Sequence, residues 1–219
     1  MINFDIMMDL DKIDKKNSIL DAAENLFSEI GFDASSTRAI AAKAGINTAM
    51  LSYYFGSKDG LYKAVLERRL GIYEQTFHVI NDGSSSWEQL YACIDSHAEH
   101  ALSDYYFHRL IHRELSLEQR SDMTDFITDH IVRTTNEIKH IISQGVENCS
   151  FRNVDVELTI ASVFGTTYYL VNSARIASKI LNKDLQNLQI MRDEIKPRLK
   201  RHLRDFLSSH LKRSQTEDQ

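Results

Sequence analysis

Only one proline, Pro197, interrupts the 219 residues, and glycine is sparse, with eight. Proline in a helix interior costs about 3 kcal/mol and glycine about 1 kcal/mol relative to alanine, so long segments are left in which a helix meets no obstacle. No apolar–polar alternation persists long enough to specify strands. An all-α fold is expected, and 42% hydrophobic residues over this length suffice for one small domain joined to a larger one.

The most specific local pattern lies between Ser36 and Lys58. Ser36 and Thr37 carry side-chain oxygens suited to capping a helix start, Ile40, Ala41 and Ala44 form its inner face, and Gly45 supplies a turn at positive φ. Asn47 can cap a second short helix that places Leu51 and Phe55 on one apolar face and leaves Thr48, Ala49, Ser52 and Tyr53 on the other. Two helices joined in this way form a helix-turn-helix whose outer face fits a major groove of DNA. Tyr53 and Tyr54 point about 100° apart on a helix, so at least one must face outward.

Around this unit the helical period continues. Lys15 to Ile30 sets Ile19, Ala23, Leu26, Phe27 and Ile30 on one face and stops at Gly31, with Phe32 folding back. Ser57 can cap a fourth helix running to about Ile80, and Asn81 to Ser86 is the clearest break, with Ser85 and Glu88 spaced as a capping box. Further helices are expected at Trp87 to Leu102, Asp104 to Leu117, Asp122 to Asn148 and Asp155 to Leu181. A last helix aligns Ile195, Leu199, Leu203, Phe206, Leu207 and Leu211, with Pro197 in its first turn or kinking it.

Ile19-Leu20-Asp21-Ala22-Ala23, Leu26-Phe27, Gly31-Phe32, Thr37-Arg38-Ala39-Ile40-Ala41, Ala44-Gly45-Ile46 and Tyr53-Tyr54-Phe55-Gly56-Ser57-Lys58-Asp59-Gly60-Leu61 stand in this order between Lys15 and Leu66. They resemble the DNA-binding domain of the TetR/AcrR family of bacterial repressors. The resemblance implies an all-helical homodimer that binds a double-stranded operator and answers to a small-molecule effector. It also implies phosphate contacts from Thr37, Tyr53, Tyr54 and Lys58 and a base contact from Arg38, with Asn47, Thr48, Ala49 and Ser52 on the reading helix. Met50 and Ser52 depart from the family pattern, which implies a lighter grip on the backbone. The resulting division is a flexible extension at 1–14, a helix-turn-helix domain at 15–60, a helical effector-binding and dimerisation domain at 61–213, and a tail at 214–219.

The formal charge of −5 runs against a nucleic-acid partner, but bulk charge is the wrong scale. From Gly31 to Gly60 three Lys/Arg face two acids, so binding there would use helix N-termini, hydroxyls and a few cations. The acid-interrupted start and the absence of an apolar run near 20 residues predict a cytoplasmic chain without a membrane partner. Cys93 and Cys149 lack CxxC spacing and read as buried or idle thiols. Residues 192–213 carry eight Lys/Arg against three acids; membrane or nucleic-acid binding is open to such a helix, but a dimer helix with a solvated cationic face is the expected reading.

The helix from Asp155 is apolar on nearly every side, which calls for cover by a partner subunit. Phe164, Tyr169, Leu170, Leu199, Leu203 and Phe206 are the expected interface. His97, Tyr105, Phe107, His108, Phe126, Phe164 and Tyr168 are the expected effector pocket. Cys93, His97 and His100, and separately His108 and His112, have spacings open to metal sensing, but no tight motif is present and neither a metal nor a cofactor is expected. No glycine-rich phosphate loop, GxSxG or HExxH points to an enzyme. The expected function is a ligand-responsive transcriptional repressor; a metal-sensing regulator and a helical protein-interaction module without DNA binding are the alternatives.

Overall fold

The computed structural model describes residues 2–78, 84–103, 105–117 and 121–213, and every element among them is helical. In chain order these are α1 (Ile2–Ile30), α2 (Thr37–Lys43), α3 (Thr48–Phe55), α4 (Lys58–His78), α5 (Ser86–Ser103), α6 (Tyr105–Leu117), α7 (Ser121–Glu147), α8 (Val156–Asn172), α9 (Ala174–Leu181), α10 (Leu188–Ile190) and α11 (Lys196–Leu211). A π-helical turn, Met191–Ile195, joins the last two. The expected end of the fourth helix at Ile80, the break at 81–83, the start of the sixth helix at Asp104 and the tail at 214–219 lie outside the described residues.

Helix starts follow the side-chain oxygens read from the sequence. Ser57 Oγ accepts the Gly60 N–H at 3.0 Å, and Ser85 with Glu88 closes a capping box in which the Glu88 carboxylate accepts the Ser85 N–H at 2.8 Å. Asp155 Oδ1 accepts the Leu158 N–H at 2.9 Å at the head of α8. Asp155→Ala is expected to cost about 1 kcal/mol of stability, read as a lower urea midpoint; an unchanged midpoint would remove the cap from the account.

Two features depart from expectation. Residues 2–14, expected as a flexible extension, continue α1 upstream, because no glycine or proline stands before Gly31 to stop it. The single helix expected from Asp155 to Leu181 breaks at Ser173 (φ −108°, ψ 32°). Short polar side chains loosen it there: Asn172 Nδ2 donates to the Tyr168 carbonyl at 3.2 Å, and the new direction buries Ala174 and Ala177. Pro197 takes the first of its two expected places. It sits in the first turn of α11 just after the π turn, where the Lys196 N–H reaches back to the Met191 carbonyl.

Two apolar cores result. The first gathers Ile19, Ala23 and Phe27 of α1, Ile40, Leu51, and Leu61, Tyr62, Val65 and Leu66 of α4, and it extends to Phe107, Leu110 and Ile111 of α6 and Ile127 of α7. The second packs α5, α7, α8 and α11 around Cys93, Ile94, Ile138, Ile142, Val163, Leu199 and Leu203. The helix α4 is the strut between the two units. Its Tyr62 hydroxyl donates to Glu114 of α6 at 3.2 Å, while Arg68 reaches Asp21 and Glu24 of α1 at 2.7 Å each and Arg69 reaches Glu24 at 3.2 Å.

Candidate nucleic-acid interface and effector cavity

The reading head is built from local backbone chemistry. Ser36 Oγ accepts the Ala39 N–H at 3.1 Å to start α2, leaving Thr37 as its first helical residue. At its end Gly45 adopts φ +68°, so that the Ile46 N–H reaches Ala41 O at 3.0 Å and the Gly45 N–H reaches Ala42 O at 3.2 Å, the paired bonds of a Schellman stop. Asn47 Oδ1 then accepts the Met50 N–H at 2.9 Å and opens α3. The turn holds Leu51 inward and turns Thr48, Ala49, Ser52 and Tyr53 outward, with Arg38 and Asn47 exposed beside them.

Tyr53 is 80% exposed, the highest value among the large apolar side chains described. Tyr54 is half-buried with its ring edge-on to Tyr53 at 5.2 Å, so the two hydroxyls leave α3 in different directions as the helical period requires. Lys58 is half-buried, its ammonium 4.2 Å from the Phe32 ring centre and 3.4 Å from the Asp33 carbonyl. These contacts hold a cation at the edge of the same face.

A cavity of about 390 Å³ opens between the two cores. Arg69 and Tyr73 of α4, His97 and His100 of α5, Phe107, His108, Ile111 and His112 of α6, His130 and Thr134 of α7 and Phe164, Thr167 and Tyr168 of α8 line it. The Tyr73 hydroxyl lies 2.7 Å from His97 Nδ1, and His97 Nε2 lies 3.1 Å from Thr167 Oγ1, a polar chain across three helices. Burial, with His100 nearby, pulls His97 down to about 4. His108 is pulled down to about 3 by burial and by His97, His112, His100 and Arg69, and burial lowers His112. His97, His108 and His112 therefore face the cavity as uncharged imidazoles at neutral pH.

Of the residues expected here, His97, Phe107, His108, Phe164 and Tyr168 line the cavity and Tyr105 and Phe126 do not. Tyr105 is buried in the second core, and Phe126 packs against the first core, with His130 and the Lys63 ammonium beside its ring. Tyr73 leaves α4 on an apolar side that reads as core, and Arg69 carries no sequence signal of a cavity; His100 and His112 stand at the chelate spacings noted above. Among the described residues, no group of three or more His, Cys, Asp or Glu is placed to hold a metal ion. Cys93 is sealed in the second core while His97 is engaged by Tyr73 and Thr167.

The family model for bacterial regulatory proteins of the tetR family matches residues 19–65, the stretch that holds α2, the Gly45 turn and α3. Residues 19–65 form a TetR-family DNA-binding segment. RutR of Escherichia coli K12, an HTH-type transcriptional regulator, is 46% identical over 59 residues, which span 27% of this chain and 28% of RutR. YttP of Bacillus subtilis, also described as an HTH-type regulator, is 25% identical over 137 residues, 61% of this chain and 66% of YttP. The chain thus matches less than two thirds of either relative's length. PfmR of Thermus thermophilus, a TetR-family regulator of known structure, superposes with a TM-score of 0.70 at 21% identity over 89% of this chain and 99% of PfmR. TetR-family proteins are DNA-binding regulators rather than enzymes.

Among the described residues outside the reading head, an apolar stripe lies open along α8 and α9. Leu158 (65%), Tyr169, Ile176 and Ile180 (70%) are exposed, with Ser162 and Gly165 at the same helical phase. Tyr169 thus stands where an interface was expected; Leu170 and Phe206 are half-buried and Phe164 turns to the cavity. Leu199 and Leu203 correct the expectation, because both are buried inside the chain against α5. The cations of α11 are also partly spoken for: Arg204 pairs with Asp95, and Lys196 and Lys200 hold Glu99 at 2.5 and 2.6 Å. Those pairs hold Glu99 down to about 2 through its hydrogen bonds to the two lysines. Among the described residues no helix is long and apolar enough to cross a membrane.

Proposed function

We propose that this chain is a homodimeric, ligand-responsive repressor whose two α3 helices enter successive major grooves of a pseudo-palindromic operator. The observation that carries the reading is the outward face of α3, where Thr48, Ala49, Ser52 and Tyr53 are exposed beside Arg38 while Leu51 anchors the helix from behind. In it, Thr48 and Ala49 approach base edges, Arg38 takes a guanine, and Thr37, Tyr53, Tyr54 and Lys58 hold phosphates. The open stripe on α8 and α9 pairs the two copies. An effector in the cavity would bear on Arg69, whose guanidinium lines that space and also holds Glu24 of α1 at 3.2 Å, so occupancy there acts on the scaffold of the reading head. Release requires the effector to favour the displaced state, and a difference of about 1–3 kcal/mol gives useful control.

Selecting bound sequences from a random duplex pool supplies the operator for the test. Arg38→Ala and the pair Tyr53→Phe with Tyr54→Phe are each expected to weaken binding about tenfold, and affinity is expected to fall as salt rises. Affinity indifferent to these changes and to salt would refute the proposed contacts.

A further inference from the structure

The apolar cavity abuts a second recess of different character. A groove of about 500 Å³ runs between the C-terminal end of α1, from Phe27 to Gly31, and the outer faces of α6 and α8. His112 and Tyr168 belong to the walls of both spaces, and their rings meet edge-to-face at 4.6 Å and 89°. That pair is the partition between them. Tyr168 is 46% exposed, so its ring can turn aside without unpacking either core. On the groove side stand Arg109 and Arg113, both exposed, and neither has an ion-pair partner among the described residues. The carboxylate in this groove, Glu29, faces Lys43 at 3.9 Å.

We infer that cavity and groove form one divided site for an amphipathic anion, with an apolar tail seated past the His112–Tyr168 partition and an acidic head held by Arg109 and Arg113. This rests on the cavity being the effector site. The division of labour follows from the cost of burying charge. The cavity offers neutral imidazoles and Arg69, whose guanidinium is already engaged by Glu24, so an unpaired carboxylate or phosphate drawn inside would lose its hydration without a counter-ion. In the groove the same group meets two permanently charged guanidiniums in contact with water. At the roughly 30 Å³ that one water-sized group occupies, the cavity has room for on the order of thirteen non-hydrogen atoms of tail. The head would also bear on the reading head's scaffold: Arg113 packs on Gly31 so closely that a Cβ on that glycine would lie 3.1 Å from Nη1.

Titration calorimetry of the full chain with decanoate, decanol, decanoyl-coenzyme A and coenzyme A alone tests the site. Decanoate, or its coenzyme A thioester if the head is a phosphate, is expected to bind about tenfold or more tighter than decanol, the same tail without charge. Charge reversal at two exposed positions, Arg109→Glu with Arg113→Glu, is expected to bring the anion down to the level of decanol and to leave decanol unchanged. The thioester binding while decanoate does not would assign the head to the nucleotide phosphates, and the converse to a free carboxylate; either outcome supports the divided site. Decanol binding as tightly as the anions, coenzyme A alone binding as well as its thioester, or no binding by any probe would overturn it. Repeating the titration on the operator-bound chain separates the two layers of interpretation. Anion binding that follows the arginines yet leaves operator occupancy unchanged would sink the effector reading and keep the site, whereas operator release by decanol and decanoate alike would do the reverse.

Discussion

Gly145→Ala is expected to destabilise the protein by about 3 kcal/mol, the upper end of what overpacking a filled core costs. A Cβ at this position would lie 2.1 Å from Cδ2 and 2.2 Å from Cε2 of Phe151. The ring cannot step aside cheaply, because Phe151 is 2% exposed, stacked edge-on to Trp87 at 4.6 Å and tied back by its own N–H to the Gly145 carbonyl at 2.8 Å. The end of α7 is therefore closed by an aromatic side chain lying on bare backbone. Gly71→Ala is the comparison, since nothing stands within 4 Å of its Cβ position in the middle of α4. That change is expected to stabilise by up to about 1 kcal/mol. Urea midpoints for the two variants should move in opposite directions, and a Gly145→Ala midpoint equal to that of the parent would contradict the packing described.

The histidines of the cavity predict an acid-sensitive fold. His97 is held down to about 4 and His108 to about 3, against 6.5 for an unburied imidazole, so the unfolded chain binds more protons than the folded one as pH falls below 6.5. The stabilisation they confer is complete above that value and is lost on descent towards 4. The groups facing them are Tyr73, His100, His112 and Arg69, none of which supplies a negative charge to hold an imidazolium. At pH 5 each histidine is expected to have given up about 2 kcal/mol relative to pH 7.5. Unfolding midpoints at the two pH values check this in the parent and in His97→Gln with His108→Gln, where the gap should narrow by most of the combined amount. An equal gap in both proteins would show that other groups govern the acid response.

The reading head was legible in the sequence almost atom by atom, and the reason is range. Ser36, Gly45, Asn47 and Ser57 act on backbone groups within a few residues, so their positions alone fix where α2, α3 and α4 start and stop. The cavity was legible only in part. Periodicity says that Tyr73, Tyr105 and Phe126 leave their helices on apolar faces, but whether the space opposite is filled depends on helices far away in sequence, and only Tyr73 meets a void. The same ambiguity misplaced Leu199 and Leu203, because an apolar stripe looks alike whether its cover is α5 or a second chain. The break at Ser173 carries neither glycine nor proline, and Asn172 and Ser173 are ordinary helix residues until side-chain bonding to the preceding turn is seen.

That elbow also bears on how two copies would meet. A straight, greasy rod can mate with its twin at several offsets, each shifted by a turn and nearly equal in energy. Here Leu158 and Tyr169 stand on one arm and Ile176 and Ile180 on the other, with the axis changing direction between them. Two bent arms nest in a single alignment, since any slide that satisfies one half lifts the other away. The angle at Ser173 would then fix the distance between the twin reading helices, much as the pivot of a pair of calipers sets the gap between its tips.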